Sequence, residues 1–138
     1  MRTYINIRGE YILKFEGQSV AVDIDSTLLI GDYKYPELGK PNFPLIESLN
    51  RFREQGGVVI INSLREDTSP LGNILTQALD YLRENGLVWD YVNDNDPNRV
   101  ARWGGVNTKK IAVDFNIDDK NIDSLSFMRM VDLNKELK

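Results

Sequence analysis

Cysteine and histidine are both missing from this 138-residue chain. Without cysteine there are no disulfides, no thiolate metal sites and no cysteine nucleophile. Without histidine the commonest general base and imidazole-bound zinc are excluded. Long apolar runs are missing too, and the N-terminal MRTYINIRGE has no apolar core of the signal-peptide kind. The expectations are therefore no membrane partner and a cytoplasmic location. Positive charge is in the minority: the net charge of -4 argues against broad nucleic-acid binding, which draws its affinity from neutralising phosphates. Any catalysis must run on carboxylates, lysine, arginine, hydroxyls, amides and hard cations.

What is present is an ordinary apolar content and a length that predicts a single domain over residues 1–138, enough to bury a core without staples. Strand-like and helical patterns alternate. SVAVDID is an apolar run that stops at two carboxylates, Asp23 and Asp25, separated by one isoleucine. A loop rich in Gly, Pro and Tyr follows. In PLIESLNRFREQG, Leu45, Ile46, Leu49 and Phe52 recur at helical spacing, with Pro44 suited to the first turn and Gly56 to the C-terminal cap. GVVIIN has the β-branched continuity of a strand buried on both faces. After it, Ser69 as cap and Pro70 as opening residue predict a second helix with Leu71, Ile74, Leu75, Ala78, Leu79 and Leu82 on one face, ending at Gly86. LVWDYV reads as a third strand, NDNDPNRVARWGGVNT as a polar loop, and KKIAVDFNIDD as a fourth apolar run ending in paired carboxylates. DSLSFMRMVDLNKELK predicts a helix packed on the sheet. Residues 1–18 alternate around RGE as a β-hairpin would, an extension to a core over 19–138.

This order predicts parallel strands with right-handed crossovers, hence a three-layer α/β/α sandwich with a mainly parallel, Rossmann-like sheet. Ligands in such sheets bind beyond the carboxyl ends of the strands. That rule gathers Asp23 and Asp25 after the first strand, Ser63 and Arg65 after the second, Asn93 after the third, and Asp118 with Asp119 after the fourth. Four acidic side chains at one edge repel one another. A divalent cation with oxygen ligands relieves this, and Mg²⁺ needs only one or two carboxylates besides waters and a phosphate.

With those residues in place the chain resembles the haloacid-dehalogenase-type phosphatases. Their pattern is a strand ending in D-x-D-x-T, a second ending in Ser or Thr, a lysine, and a last strand ending in an acidic pair. Here these read VAVDIDST, VVIINS, Lys110 and FNIDD, in that order. The nearest likeness is to small bacterial and phage members with a YP loop, S-x-R and K-x-x-x-D-x-x-I-D-D, matched by KYP, SLR and KIAVDFNIDD. The resemblance implies an Mg²⁺-dependent phosphatase acting on a small-molecule or macromolecular phosphomonoester. Asp23 would be the nucleophile that forms an aspartyl-phosphate, and Asp25 the general acid and then base. The metal would be held by Asp23, the main-chain carbonyl of Asp25, and Asp118. Ser63 would bond a phosphoryl oxygen and Lys110 would balance charge.

Duller readings stand beside these. Thr27 serves the turn after the first strand or is a plain turn residue. Ser26 replaces the family's commoner Gly. Lys109 competes with Lys110, though its spacing to the acidic pair fits less well. For Arg65, an ion pair with Asp67 or Glu66 is expected ahead of substrate contact, because arginine usually lies on the surface. Asp119 binds metal through water or orients Lys110. Asn93 and its neighbours are first of all a turn composition, and Trp89 and Trp103 are packing residues. Neither interval that holds a cap domain in larger members has room for one, so the site is expected to be open unless a loop or a second subunit covers it; a homo-oligomer fits that need. Two other functions remain at this stage: a metal-dependent nuclease, which gives Lys110 and Ser63 no role, and a non-catalytic phosphate-binding or receiver-like module.

Overall fold

A computed structural model describes residues 2–5, 11–68 and 70–136. Strands β1 (Arg2–Ile5) and β2 (Tyr11–Lys14) pair antiparallel, Arg2 opposite Lys14 and Ile5 opposite Tyr11, as the alternation predicts. The turn between them lies outside the described residues.

Strand β3 (Ser19–Val22) is buried at all four positions. Its unbroken apolar run is what a strand covered on both faces requires. Strands β4 (Leu29–Ile30) and β5 (Lys40–Pro41) form a small antiparallel pair that closes the Gly-, Pro- and Tyr-rich loop on itself. Helix α1 (Phe43–Glu54) starts at Asn42, whose Oδ1 accepts from the Leu45 N–H at 3.4 Å and whose Nδ2 donates to the Thr27 carbonyl at 3.0 Å. Pro44 sits in its first turn as expected. Gly56 follows the C-terminal cap at φ +91°, where a Cβ would also stand 2.9 Å from the Glu16 Cα, so only glycine fits.

Strand β6 (Val58–Ile61) pairs in parallel with β3, Ser19 opposite Val58 and Val22 opposite Ile61. Helix α2 (Ile74–Glu84) buries Ile74, Ala78 and Leu82. Its start differs from the Ser69–Pro70 expectation. Gly72 takes φ +87° and breaks the chain away from the helix, which begins after Asn73; Leu71 stays 54% exposed, and Ser69 lies outside the described residues. Strand β7 (Tyr91–Val92) is shorter than LVWDYV predicts. Leu87 is instead buried in the core with Trp89 packed beside it, and the Asp90 carboxylate takes the Val59 N–H at 2.8 Å. Within the segment read as polar loop lies helix α3 (Pro97–Arg102), capped by Asp96, which accepts from the Asn98 N–H at 3.0 Å, with Pro97 at its first position.

Strand β8 (Phe115–Ile117) pairs in parallel with β3, and the sheet order is β7-β6-β3-β8, all parallel. The start of β8 is tied to the start of β3. Asp114 accepts from the Ser19 N–H at 2.9 Å and from Arg99 Nη2 at 3.1 Å, while Arg99 Nη1 donates to Ser19 Oγ at 2.8 Å. Burial opposes the Asp114 charge, but these donors outweigh it and hold the carboxyl below its ordinary range. The chain is thus α/β with a parallel four-stranded sheet, and its core gathers β3, β6, α1 and α2 around Val22, Leu49, Val59 and Leu82.

Helix α4 (Ser124–Glu136) forms where the sequence predicts it, with Asp123 accepting from the Ser126 N–H at 2.8 Å and its hydroxyl at 2.7 Å. It is not packed on the sheet. Every residue from 121 to 134 is exposed. Among the described residues no helix is long and apolar enough to cross a membrane.

Candidate functional site

The parallel register brings the carboxyl ends of β3, β6 and β8 side by side. Main-chain bonds continue the ladder just past each strand: Asp23 N–H to the Ile117 carbonyl at 3.0 Å, Asn62 N–H to Val22 at 2.9 Å, and Asn93 N–H to Ile61 at 2.7 Å. These bonds fix where the next side chains emerge. One carboxylate oxygen from each of Asp23, Asp118 and Asp119 lies within 4.8 Å of the others. Around them is a pocket of about 630 Å³, lined also by Asp25, Ser63 and Lys120, with Tyr35 and Leu64 on its walls. Burial, and next the charge of Asp118, push the Asp23 carboxyl up to about 6. Burial is the larger cause; the repulsion expected from the sequence comes from Asp118 and Asp119, and Asp25 has no part in it. The donors are oxygens alone, on a chain with neither imidazole nor thiolate, a set that suits a hard cation.

Asp25 is turned away from this cluster. Arg65 Nε donates to its Oδ2 at 2.9 Å, Arg65 Nη2 to its Oδ1 at 2.7 Å, and the Tyr33 hydroxyl to Oδ1 at 2.9 Å. Only the Asp25 main chain is left for a metal. Arg65 itself is 0% exposed, which corrects the expectation of a surface ion pair with Asp67 or Glu66. Its remaining N–H groups reach the carbonyls of Pro36 at 3.0 Å, Ile74 at 3.3 Å and Glu37 at 3.0 Å. All five guanidinium donors are used, which is the condition for burying the group at all. Asp67 instead accepts from the main chain and hydroxyl of Thr76, whose bonds hold its carboxyl below the ordinary range.

Ser26 has φ +62°, a conformation glycine adopts freely and serine does not, and its N–H donates to the Tyr33 hydroxyl at 3.1 Å. Ser63 lines the pocket, with Oγ accepting from the Arg65 N–H at 3.1 Å. Asn93, also left-handed at φ +51°, accepts from the Ser63 N–H at 2.7 Å, so it braces the loop after β6. Thr27 is buried under the turn, and its Oγ1 has no partner among the described residues.

Lys110 lines a different cleft, of about 480 Å³, with Arg99 and Trp103. The lysine at the acidic pocket is Lys120, whose N–H donates to Asp118 Oδ1 at 2.8 Å and whose Nζ stands 3.4 Å from Asp119 Oδ2. Sequence reasoning passed over Tyr33, Tyr35, Leu64 and Lys120. For Tyr33 and Tyr35 the available signal was the aromatic density of GDYKYP beside a D-x-D, and for Lys120 its adjacency to the acidic pair.

No family model and no curated protein sequence matches the chain. Among solved structures it is similar to a conserved protein coded by a locus of Bacteroides thetaiotaomicron, at 26% identity and a TM-score of 0.59. The match covers 86% of this chain and 91% of that one.

Proposed function

We propose that this chain is a phosphohydrolase of the haloacid-dehalogenase type, a capless three-layer α/β/α domain that cleaves phosphate monoesters with Mg²⁺ as cofactor. The observation that carries the reading is the convergence of Asp23, Asp118 and Asp119 at the carboxyl edge of a parallel sheet, beside an Asp25 held in place by Arg65. The three carboxylates would hold the ion, which neutralises phosphoryl charge when bound. An Asp23 oxygen attacks phosphorus while the bond to the leaving oxygen breaks, and that oxygen takes a proton from Asp25, which must enter this step protonated even though both its oxygens accept from Arg65 in the structure. Water then gives a proton back to Asp25 and attacks the aspartyl-phosphate, releasing phosphate and Asp23. The Tyr33 hydroxyl on Asp25 is suited to this traffic because a phenol both donates and accepts. Ser63 offers its hydroxyl to a phosphoryl oxygen. A lysine balances charge: the sequence likeness assigns Lys110, and the pocket presents Lys120.

Hydrolysis of an activated aryl phosphate tests this. Turnover is expected with Mg²⁺, abolished by EDTA and by Asp23→Asn, since an amide is a poor nucleophile. Full activity in chelator overturns the reading. Phosphate binding without turnover supports a non-catalytic module, and cleavage of nucleic acid at a comparable rate supports a nuclease.

A further inference from the structure

Among the described residues two apolar surfaces stand uncovered. The first is α4, where Leu125, Phe127, Met128, Met130, Val131 and Leu133 are each between 49% and 57% exposed. Apart from Leu125, the strip holding Arg129 and Asp132 is polar, and the other five apolar residues spread round the rest of the circumference with Ser124, Ser126, Asn134 and Lys135 between them. A thirteen-residue helix is marginal in water by itself, and six large apolar side chains left half-exposed on it call for a covering surface. The second is a groove of about 400 Å³ between α1 and β8, lined by Leu45, Phe52, Phe115 and Ile117, with Phe15 also on its wall. Phe115 stands edge-to-face with both Phe15 and Phe52 at centroid distances of 6.4 Å, Phe15 and Phe52 are tilted at 5.1 Å, and Phe115 remains 36% exposed.

We propose that these surfaces belong together in trans: two copies of the chain pair by exchanging α4, each helix lying in the partner's groove. Two observations favour a second copy over the chain's own groove, and a third shows that a pair would be large enough. The hinge is short, because Asp118, Asp119 and Lys120 line the acidic pocket and Asp123 caps the helix, leaving residues 121–122 to turn the chain. Short hinges of this kind favour exchange between copies. One groove covers one stripe of a helix, whereas the six apolar residues of α4 are spread round it among seven polar ones, so some of them stay outside any single groove. A two-fold pair supplies the missing contact by laying the exchanged helices against each other. Finally, the area suffices. Six half-exposed large side chains offer roughly 500 Å² per helix, and counting both helices and both grooves gives about 2,000 Å², within the range of stable dimers.

Sedimentation velocity and cross-linking test this. The expected mass is twice that of one chain. Phe127→Asp is expected to raise the dimer dissociation constant roughly 30-fold or more, the effect of losing a central apolar anchor. Because an Asp variant can also misfold, cross-linking supplies an independent reading. The chain has no cysteine, so Ser48→Cys at the groove and Met130→Cys on α4 introduce the only thiols. Mixing the two single variants under oxidation is expected to give a covalent pair joined through position 48 of one chain and position 130 of the other. A wild-type protein that sediments as one chain overturns the proposal. So does a double variant that closes its disulfide within a single chain, or a mixture that gives no pair between the two positions.

Discussion

Arg65 grips Asp25 with two parallel bonds, Nε to Oδ2 at 2.9 Å and Nη2 to Oδ1 at 2.7 Å, from a position with no solvent exposure. The pair carries a structural and a chemical load at once. Asp25→Ala leaves a buried guanidinium without its counter-charge, and the expected cost is about 3 kcal/mol, or roughly 10 °C in Tm. Urea denaturation and a thermal melt measure it.

Arg65→Lys keeps the charge but loses the planar fork, so Asp25 is no longer held from two sides. The expected result is a folded protein whose kcat for aryl phosphate falls about tenfold to a hundredfold with little change in KM, read from steady-state kinetics. Unchanged kcat would confine Arg65 to a structural role.

Tyr33→Phe removes one donor to Asp25 and the acceptor for the Ser26 N–H, in a loop whose backbone is already left-handed at Ser26. A loss of about 1 kcal/mol is expected from denaturant unfolding.

The raised Asp23 carboxyl sets a pH dependence. In the unfolded chain its value is the ordinary one, about 4, so the folded protein holds this proton more tightly. Without metal, the stability from this group is complete below about pH 4 and is lost as pH rises through about 6. A cation reverses the balance at neutral pH and competes with the proton in acid. At ten times Kd, Mg²⁺ is expected to add about 1.4 kcal/mol at pH 8, a rise of a few degrees in Tm, and under half of that rise at pH 5. Asp118→Asn should shrink the pH 8 response; an unchanged response would remove Asp118 from the ligand set.

Two lysines compete for one role. Methionine at the lysine that meets the phosphoryl group is expected to lower kcat about a hundredfold, and methionine at the other to leave it within about twofold. Kinetics of Lys110→Met and Lys120→Met assign the role, and two equally silent variants would leave charge balance to the metal and Ser63.

The strands that carry the site were the most legible part of the sequence. The runs at Val20 to Val22 and Val59 to Ile61 are fully buried, and burial on both faces leaves an unbroken apolar signature. The paired carboxylates announced themselves for the complementary reason, that such repulsion needs compensation. Punctuation was harder to read. Ser69–Pro70 resembles a helix start, but the turn through Gly72 moves the start to Asn73, and Asp96–Pro97 is a helix start inside a turn-like composition. Arg65 was illegible because its burial depends on carbonyls of Pro36, Glu37 and Ile74, contacts no local pattern encodes. The α4 helix was legible and its setting was not, since periodicity shows that a face is apolar and says nothing of what covers it.

The sheet order also decides how this protein is born. Strand β3 is central, yet the anchor between Ser19 and Asp114 spans 95 residues of chain. During synthesis at about 5–20 residues per second, the β8 side of β3 therefore stays unpaired for several seconds while Val20, Ala21 and Val22 present an open edge. Long-range parallel pairing of this kind slows folding relative to helical domains, because the loop must close before its contacts form. The acidic cluster is completed by the same late strand. Crowding its carboxylates together is thus deferred until the scaffold beneath them exists, and a nascent chain is more exposed to sticking to its neighbours than to its own charge.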